Sequence, residues 1–166
     1  RFILPEFNTY RQWSRNAQSS RAIPTSKRIT EVRENPALPV NWGQNQKGMV
    51  AKQNLLTAQE YDARLTWLEA AQAAADYAQI LADLKLHKQT ASRILEPYLW
   101  HTSVVTSTDW DNMFNQRIHE DAQPEFKILA EHMYEALWNS EPTFVPSYRW
   151  HLPYISDYEK KKYEDV

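Results

Sequence analysis

The stretch "TYRQWSRNAQSSRAIP", Thr9 to Pro24, crowds three arginines, an asparagine and three serines into the eleven positions from Arg11 to Arg21. Guanidinium forks pair bidentately with phosphate oxygens, and serine hydroxyls with backbone amides fill the remaining lone pairs, so the pattern reads as a compact site for a nucleotide-sized anion. Two other readings compete. Arg-rich loops also bond carboxylates across subunit contacts. Basic residues interleaved with Tyr10 and Trp13 suit a nucleic-acid backbone with stacked bases, although the basic region is short and the sequence pI is about 6.2.

The charge around this stretch is uneven. The chain has a net charge of -2, yet residues 1–33 carry seven Lys/Arg against two Asp/Glu, leaving -7 for the remainder. Such a basic end attracts an anion. The 166 residues are 42% apolar and 13% aromatic, enough for one domain with its own core. Only two glycines occur, Gly43 and Gly48, which excludes P-loop and dinucleotide fingerprints. No cysteine occurs, which removes disulfides, zinc-thiolate sites and a cysteine nucleophile, and fits a cytoplasmic protein. No apolar run approaches the roughly 20 residues that span a bilayer, and "RFILPEF" lacks the apolar core of a signal peptide. No membrane partner is expected.

Outward from the Arg-rich stretch, residues Arg1 to Phe7 read as a short strand and Ser26 to Arg33 as a short helix with Ile29 and Val32 inward, stopped by Pro36 and Pro39. Asn35 to Gln53, with two prolines and both glycines, is a loop long enough to suggest function, and its part from Trp42 to Met49 reads as a lid or an interface insertion. A long helix follows from Thr57 to about Leu84, with a capping box expected from Thr57 and Glu60. Its stripe of Tyr61, Leu65, Leu68, Ala71, Ala75, Ala78 and Ala82 turns small in the second half, which lets another helix, from this chain or another subunit, approach closely.

His87 to Leu95 reads as a helix ended by Pro97, and "WHTSVVTST" as a strand. A helix through "DWDNMFNQR" is expected to be capped by Thr108 or Asp109. Another through "DAQPEFKILAEHMYEAL", capped by Asp121, carries the stripe Phe126, Leu129, Ala130, Met133 and Leu137. Residues 142–166 read as loop and tail. The fold class is α+β: a small sheet packed against long helices, in a single domain spanning 1–166.

Other chemistries have weaker support. His119, Glu120 and Asp121 are adjacent and point apart on a helix, and no HExxH or His-x-His pair exists, so no metal site is expected. No GxSxG turn supports a serine hydrolase.

Written out, Tyr10-Arg11-x-x-Ser14-x-Asn16-x-x-Ser19-x-Arg21 resembles the signature of the flavin-dependent thymidylate synthases, Arg-His-Arg-x-x-Ser-x-Asn-Glu-x-Ser-x-Arg. Two further blocks follow in the family's order. "SRILEP" around Arg93 is similar to its Ala-Arg-x-x-Leu-Pro segment, and "NMFNQRIHEDAQPEF" to its Asn-Phe-x-x-Leu-Arg-x-x-x-x-Ala-Gln-x-Glu-Ile segment. The resemblance runs from about Phe2 to Leu137.

It implies an enzyme that reductively methylates dUMP to dTMP, with methylenetetrahydrofolate giving the carbon, NADPH reducing FAD, and no enzyme cysteine required. Arg11, Asn16 and Asn112 match positions at the flavin. Ser19, Arg21 and Arg93 match positions that hold the nucleotide, chiefly its phosphate. Arg117 matches the arginine at the pyrimidine, where it would stabilise charge developing on the ring. The family's sites lie between subunits of a homotetramer, and no nucleic-acid partner is implied.

The chain also departs from the pattern. Thr9, Tyr10 and Ala17 replace the signature's first arginine, its histidine and its glutamate, and Thr106 stands where an asparagine is common. No Ser-Pro-x-Glu-His segment is found. With the start inside apolar sequence, this leads to the expectation of a chain that is part of a longer one. The altered flavin positions admit two variants of the function: transfer of a hydroxymethyl group to a pyrimidine nucleotide, or a non-catalytic nucleotide-binding or scaffold subunit.

Overall fold

The computed structural model describes residues 3–19, 22–48, 50–149 and 155–163. Backbone proximity divides the chain into two compact units, Arg1–Tyr134 and Glu135–Val166. The elements in order are α1 (Leu4–Phe7), β1 (Ser14–Ala17), α2 (Thr25–Glu34), α3 (Thr57–Asp83), α4 (Lys88–Ala91), a 3-10 helix (Ser92–Tyr98), β2 (Ser103–Thr106), α5 (Asp111–Arg117), α6 (Pro124–Trp138) and α7 (Asp157–Tyr163). Helices around a two-stranded sheet make the class α+β.

The first unit is built on two cores. One is helical: Ile29 and Val32 of α2 and Leu95 and Leu99 of the 3-10 segment close on Ala71, Ala75 and Ala78 of α3. The three alanines are fully buried, and their short methyl side chains are what let α2 and the 3-10 helix come close. Arg33 ties the pair at its rim, its guanidinium 2.8 Å from Asp76 and its carbonyl accepting from Gln72. The other core is aromatic: Phe7, Trp13, Met113, Phe114, Phe126 and Ala130, with Tyr10, Val105 and Trp110 packed on it.

Helix α3 forms because 27 residues contain neither glycine nor proline and are rich in alanine, leucine and glutamine. At about 40 Å it is far longer than α2, at about 15 Å. Its first turns overhang the helical core, so Tyr61 and Leu65, expected on the buried stripe, are 64% and 41% exposed. The N-cap is Leu56, one residue earlier than expected. Its N–H is met at 3.4 Å by Gln59 instead of a Thr57–Glu60 box. The helix ends in a Schellman turn, Leu86 N–H to Leu81 and Lys85 N–H to Ala82, with Lys85 in the left-handed region at φ 63.

Several sequence expectations are corrected. Arg1 and Phe2 lie outside the described residues, but from Leu4 the expected first strand is a helical turn, where Pro5 is tolerated and the Thr9 hydroxyl donates to the Glu6 carbonyl at 2.7 Å. The strand lies instead within the Arg-rich stretch, as β1. The His87–Leu95 helix is α-wound for only four residues, because Pro97 cannot donate to the Arg93 carbonyl as α-winding requires, and the chain tightens into the 3-10 segment. Helix α5 starts at Asp111 with Trp110 as its N-cap, not Thr108 or Asp109, although Asp109 Oδ1 accepts from the Asp111 N–H at 3.0 Å. Helix α6 starts at Pro124, not Asp121. Gln123 supplies the carbonyl for its first N–H groups, and the Asp121 N–H is bonded to His119 Nδ1.

The 35–53 loop is pinned at its neck: Gly43 bridges Asn54, Gln44 N–H donates to Gln53, and Leu55 N–H to Trp42. In the second unit, residues expected to be tail form α7, because Ser156 and Glu159 make a capping box. The Ser156 hydroxyl donates to Glu159 Oε2 at 2.7 Å and accepts from the Glu159 N–H at 3.3 Å. Among the described residues no helix is long and apolar enough to cross a membrane.

Candidate functional site

Strands β1 and β2 pair antiparallel in the register Ser14↔Thr106, Arg15↔Val105, Asn16↔Val104 and Ala17↔Ser103, extended by Gln18 N–H to Thr102 at 3.0 Å. Side chains alternate across a strand. Arg15 and Val105 therefore face the aromatic core, where Arg15 Nη1 donates to the Phe7 and Tyr10 carbonyls at 2.9 and 3.2 Å. Ser14 and Asn16 fall on the outer face, both exposed. Arg15 is a structural brace for the turn that carries Tyr10.

The same pairing delivers α5 beside Tyr10. Arg117 Nε donates to Tyr10 Oη at 2.8 Å, and its Cζ lies 4.6 Å from the centroid of the Phe126 ring. Tyr10 Oη donates onward to Gln116 Oε1 at 3.3 Å, and Gln116 Nε2 to Asn112 Oδ1 at 3.2 Å. Tyr10 stacks on buried Trp13 with ring centroids 4.5 Å apart. Arg117, half-buried, is thus held from the side by a hydroxyl and from below by an aromatic face, a favourable setting for a cation.

Of the residues expected at the flavin, Asn112 joins this cluster through Gln116. Arg11 is exposed in the turn after Tyr10, with no partner among the described residues, and Asn16 stands on the outer sheet face. Of those expected at the nucleotide, Arg117 is the centre of the cluster. Ser19 is exposed, and its carbonyl accepts from Ala22 N–H at 3.2 Å. Arg21 lies outside the described residues.

Arg93 belongs to the helical core's side of the unit. It is exposed and paired with Glu96 at 2.7 Å. The link to the first block is the neighbouring Ser92, whose hydroxyl meets that of Thr25 at 3.2 Å in a buried position. The segment leading out of the Arg-rich stretch is thereby anchored next to Arg93. Among the described residues no hydrogen bond or ion pair links Arg93 to the Arg117 cluster.

Gln116 and Phe126 were not singled out by the sequence. Gln116 carries a signal in its spacing, since Asn112 and Gln116 at i and i+4 share a helix face. Phe126 was visible only as a core residue. Thr9, at the place of the signature's first arginine, caps α1. Among the described residues no group of three His, Asp or Glu is placed to hold a metal, and His119 and Asp121 are both exposed.

No family profile and no curated protein matches the chain. Solved structures do. The chain is similar to the UMP/dUMP methylase PolB from Streptomyces cacaoi bound with 5-Br UMP, with a TM-score of 0.64 and 19% identity over 82% of this chain and 63% of that one. For the same enzyme bound with 5-Br dUMP the TM-score is 0.62 and the identity 17%, over 82% and 62%. The fold is shared, and this chain spans less than two thirds of the neighbour's length.

Proposed function

We propose that this chain is a pyrimidine-nucleotide methylating enzyme related to the flavin-dependent thymidylate synthases, acting on dUMP or UMP. The observation that carries the reading is Arg117, seated on Phe126 with its outer N–H groups without a partner among the described residues, in a fold shared with an enzyme solved with both bromouridylates. The order of the three sequence blocks supports the same assignment. In this reading Arg117 binds the pyrimidine and stabilises charge developing on its carbonyls, while Ser19, Arg21 and Arg93 bind the phosphate. An Arg93 engaged by phosphate would leave Glu96, a pair that is cheap to open because it is exposed.

Arg11, Asn16 and Asn112 are the residues that would hold FAD. They fit such a group chemically, being exposed and rich in N–H donors, as the acceptor-lined edge and phosphates of a flavin nucleotide require. When bound, reduced flavin supplies the hydride, NADPH restores it, and methylenetetrahydrofolate supplies the carbon that becomes the methyl group.

We also propose that the active form is a homo-oligomer. A groove of about 510 Å³ on the first unit is walled by Ala70, Ala73, Ala74, Tyr77 and Leu81 of α3 and by Ile94. Tyr77 is 64% and Ile80 53% exposed beside it. A face this apolar suits a helix of a second copy, and a homotetramer with sites between subunits would bring residues such as Arg93 to another chain's Arg117.

The visible absorption spectrum of the purified full-length protein tests the flavin assignment: bound oxidised flavin is expected. A colourless protein that also fails to take up added FAD refutes it. Incubation with dUMP or UMP, NADPH and methylenetetrahydrofolate, with the product weighed by mass spectrometry, then separates methyl from hydroxymethyl transfer, and no product at all favours a scaffold subunit.

A further inference from the structure

Three side chains around Tyr10 form a chain of hydrogen bonds with one direction. Arg117 Nε donates to Tyr10 Oη, Tyr10 Oη donates to Gln116 Oε1, and Gln116 Nε2 donates to Asn112 Oδ1. The direction is forced at its start. A guanidinium has no acceptor, so the tyrosine oxygen must accept from it and has its own proton left to give. With Gln116 as the acceptor of that proton, its amide lies with Oε1 toward Tyr10 and Nε2 toward Asn112. Asn112 must then receive with Oδ1. Each amide orientation follows from the network.

At the two ends of this chain stand N–H groups that have no partner among the described residues. Arg117 has spent Nε and keeps the Nη1 and Nη2 groups. Asn112 accepts with one lone pair of Oδ1, keeps the other, and keeps both amide N–H groups. Phe126 fixes the plane in which Arg117 can turn, since the guanidinium rests 4.6 Å from the ring centroid. The surface presented by α5 is thereby rich in donors and suits acceptors such as ring carbonyls or phosphate oxygens.

We propose that Tyr10 is a positioning residue that sets this donor polarity, acting through Arg117 on one side and through Gln116 and Asn112 on the other. Resting on the nucleotide reading above, it makes Tyr10 the residue that turns the Arg117 fork toward the pyrimidine. It also gives a physical meaning to the departure at this position. A neutral histidine has one ring nitrogen that accepts and one that donates, as the tyrosine hydroxyl does, so either residue can complete the same relay. Phenylalanine can do neither.

Tyr10→Phe and Tyr10→His in the full chain test this with two readouts. The first needs no activity: exchange of the Arg117 Nε–H with solvent, followed by nitrogen-15 NMR. The wild type should show a protected Nε–H, Tyr10→Phe should lose the protection while thermal unfolding stays cooperative, and Tyr10→His should regain it. The histidine must be neutral to accept from Arg117. The charged groups facing position 10 are Arg117 from α5 and Arg15 from β1, both cationic, so protection in Tyr10→His should fail as pH falls through or below about 6.5. A side chain acting only as packing would produce no such limb.

The second readout is dUMP affinity by calorimetry, expected to weaken about tenfold in Tyr10→Phe and to recover in Tyr10→His near pH 8. Unchanged Nε–H exchange in Tyr10→Phe overturns the proposal, as does unchanged dUMP affinity in a variant that has lost protection. If the wild type binds neither dUMP nor UMP while protection still tracks position 10, the positioning stands and the nucleotide reading falls.

Discussion

Replacing Phe126 probes the point where the aromatic core becomes the site. Its side chain is fully buried, with ring centroids 6.2 Å from Phe7 and 6.1 Å from Tyr10, and it carries the Arg117 guanidinium at 4.6 Å. Phe126→Ala would open a cavity and cost about 3–5 kcal/mol, too large a loss to isolate the contact with Arg117. Phe126→Leu keeps most of the volume and removes the π face. Its expected cost is about 1–2 kcal/mol, from lost aromatic packing and a smaller void. The cation–π share should be about 0.5–1 kcal/mol, since Arg117 is half-buried. A double-mutant cycle separates the two: Phe126→Leu, Arg117→Met and the double variant are unfolded in urea, with m checked for constancy. A coupling energy of about 0.5–1 kcal/mol is expected. Coupling below about 0.3 kcal/mol in three folded, two-state proteins would show that the ring is only filler and that Arg117 is not seated on it.

Two further outcomes follow from local features. The Glu159 carboxylate is held below the usual carboxylate range, first by the Ser156 hydroxyl and then by its backbone N–H. A lowered folded value means that this support for α7 is present above the ordinary carboxylate pKa and fades as pH falls through the folded one, so α7 should fray in acid. Residue-resolved NMR of 157–163 against pH checks this, and Ser156→Ala should move the loss to higher pH. Lys85 closes α3 in a left-handed conformation that costs a side-chain-bearing residue about 1 kcal/mol, so Lys85→Gly should raise stability by a similar amount in thermal or urea unfolding.

What the sequence revealed depended on whether a signal was local. Helix α3 is written in 27 residues of composition and spacing, and the buried alanines Ala71, Ala75 and Ala78 were on the expected stripe. What it could not reveal was how far its neighbours reach, and so which end of that stripe would overhang. β1 went unread because "SRNA" has neither alternating hydrophobicity nor β-branched residues. It is a strand because β2, some ninety residues later, is β-branched and offers its backbone edge. The tail helix α7 was missed because a charge run hides a capping box that begins one residue before it.

The site shows the same division more sharply. Arg117 was legible because a segment resemblance pointed to it, and Tyr10 was visible only as a departure from a histidine. Neither residue's role is contained in its own segment, because the two lie 107 positions apart and meet only after β1 pairs with β2. In the relay proposed above, a substitution that looks like a loss when the signature is read alone becomes a working replacement. A hydroxyl that accepts from a guanidinium and gives to an amide performs the task a neutral imidazole would. A histidine at this position would lose the bond from Arg117 once protonated, since imidazolium has no acceptor to offer a guanidinium.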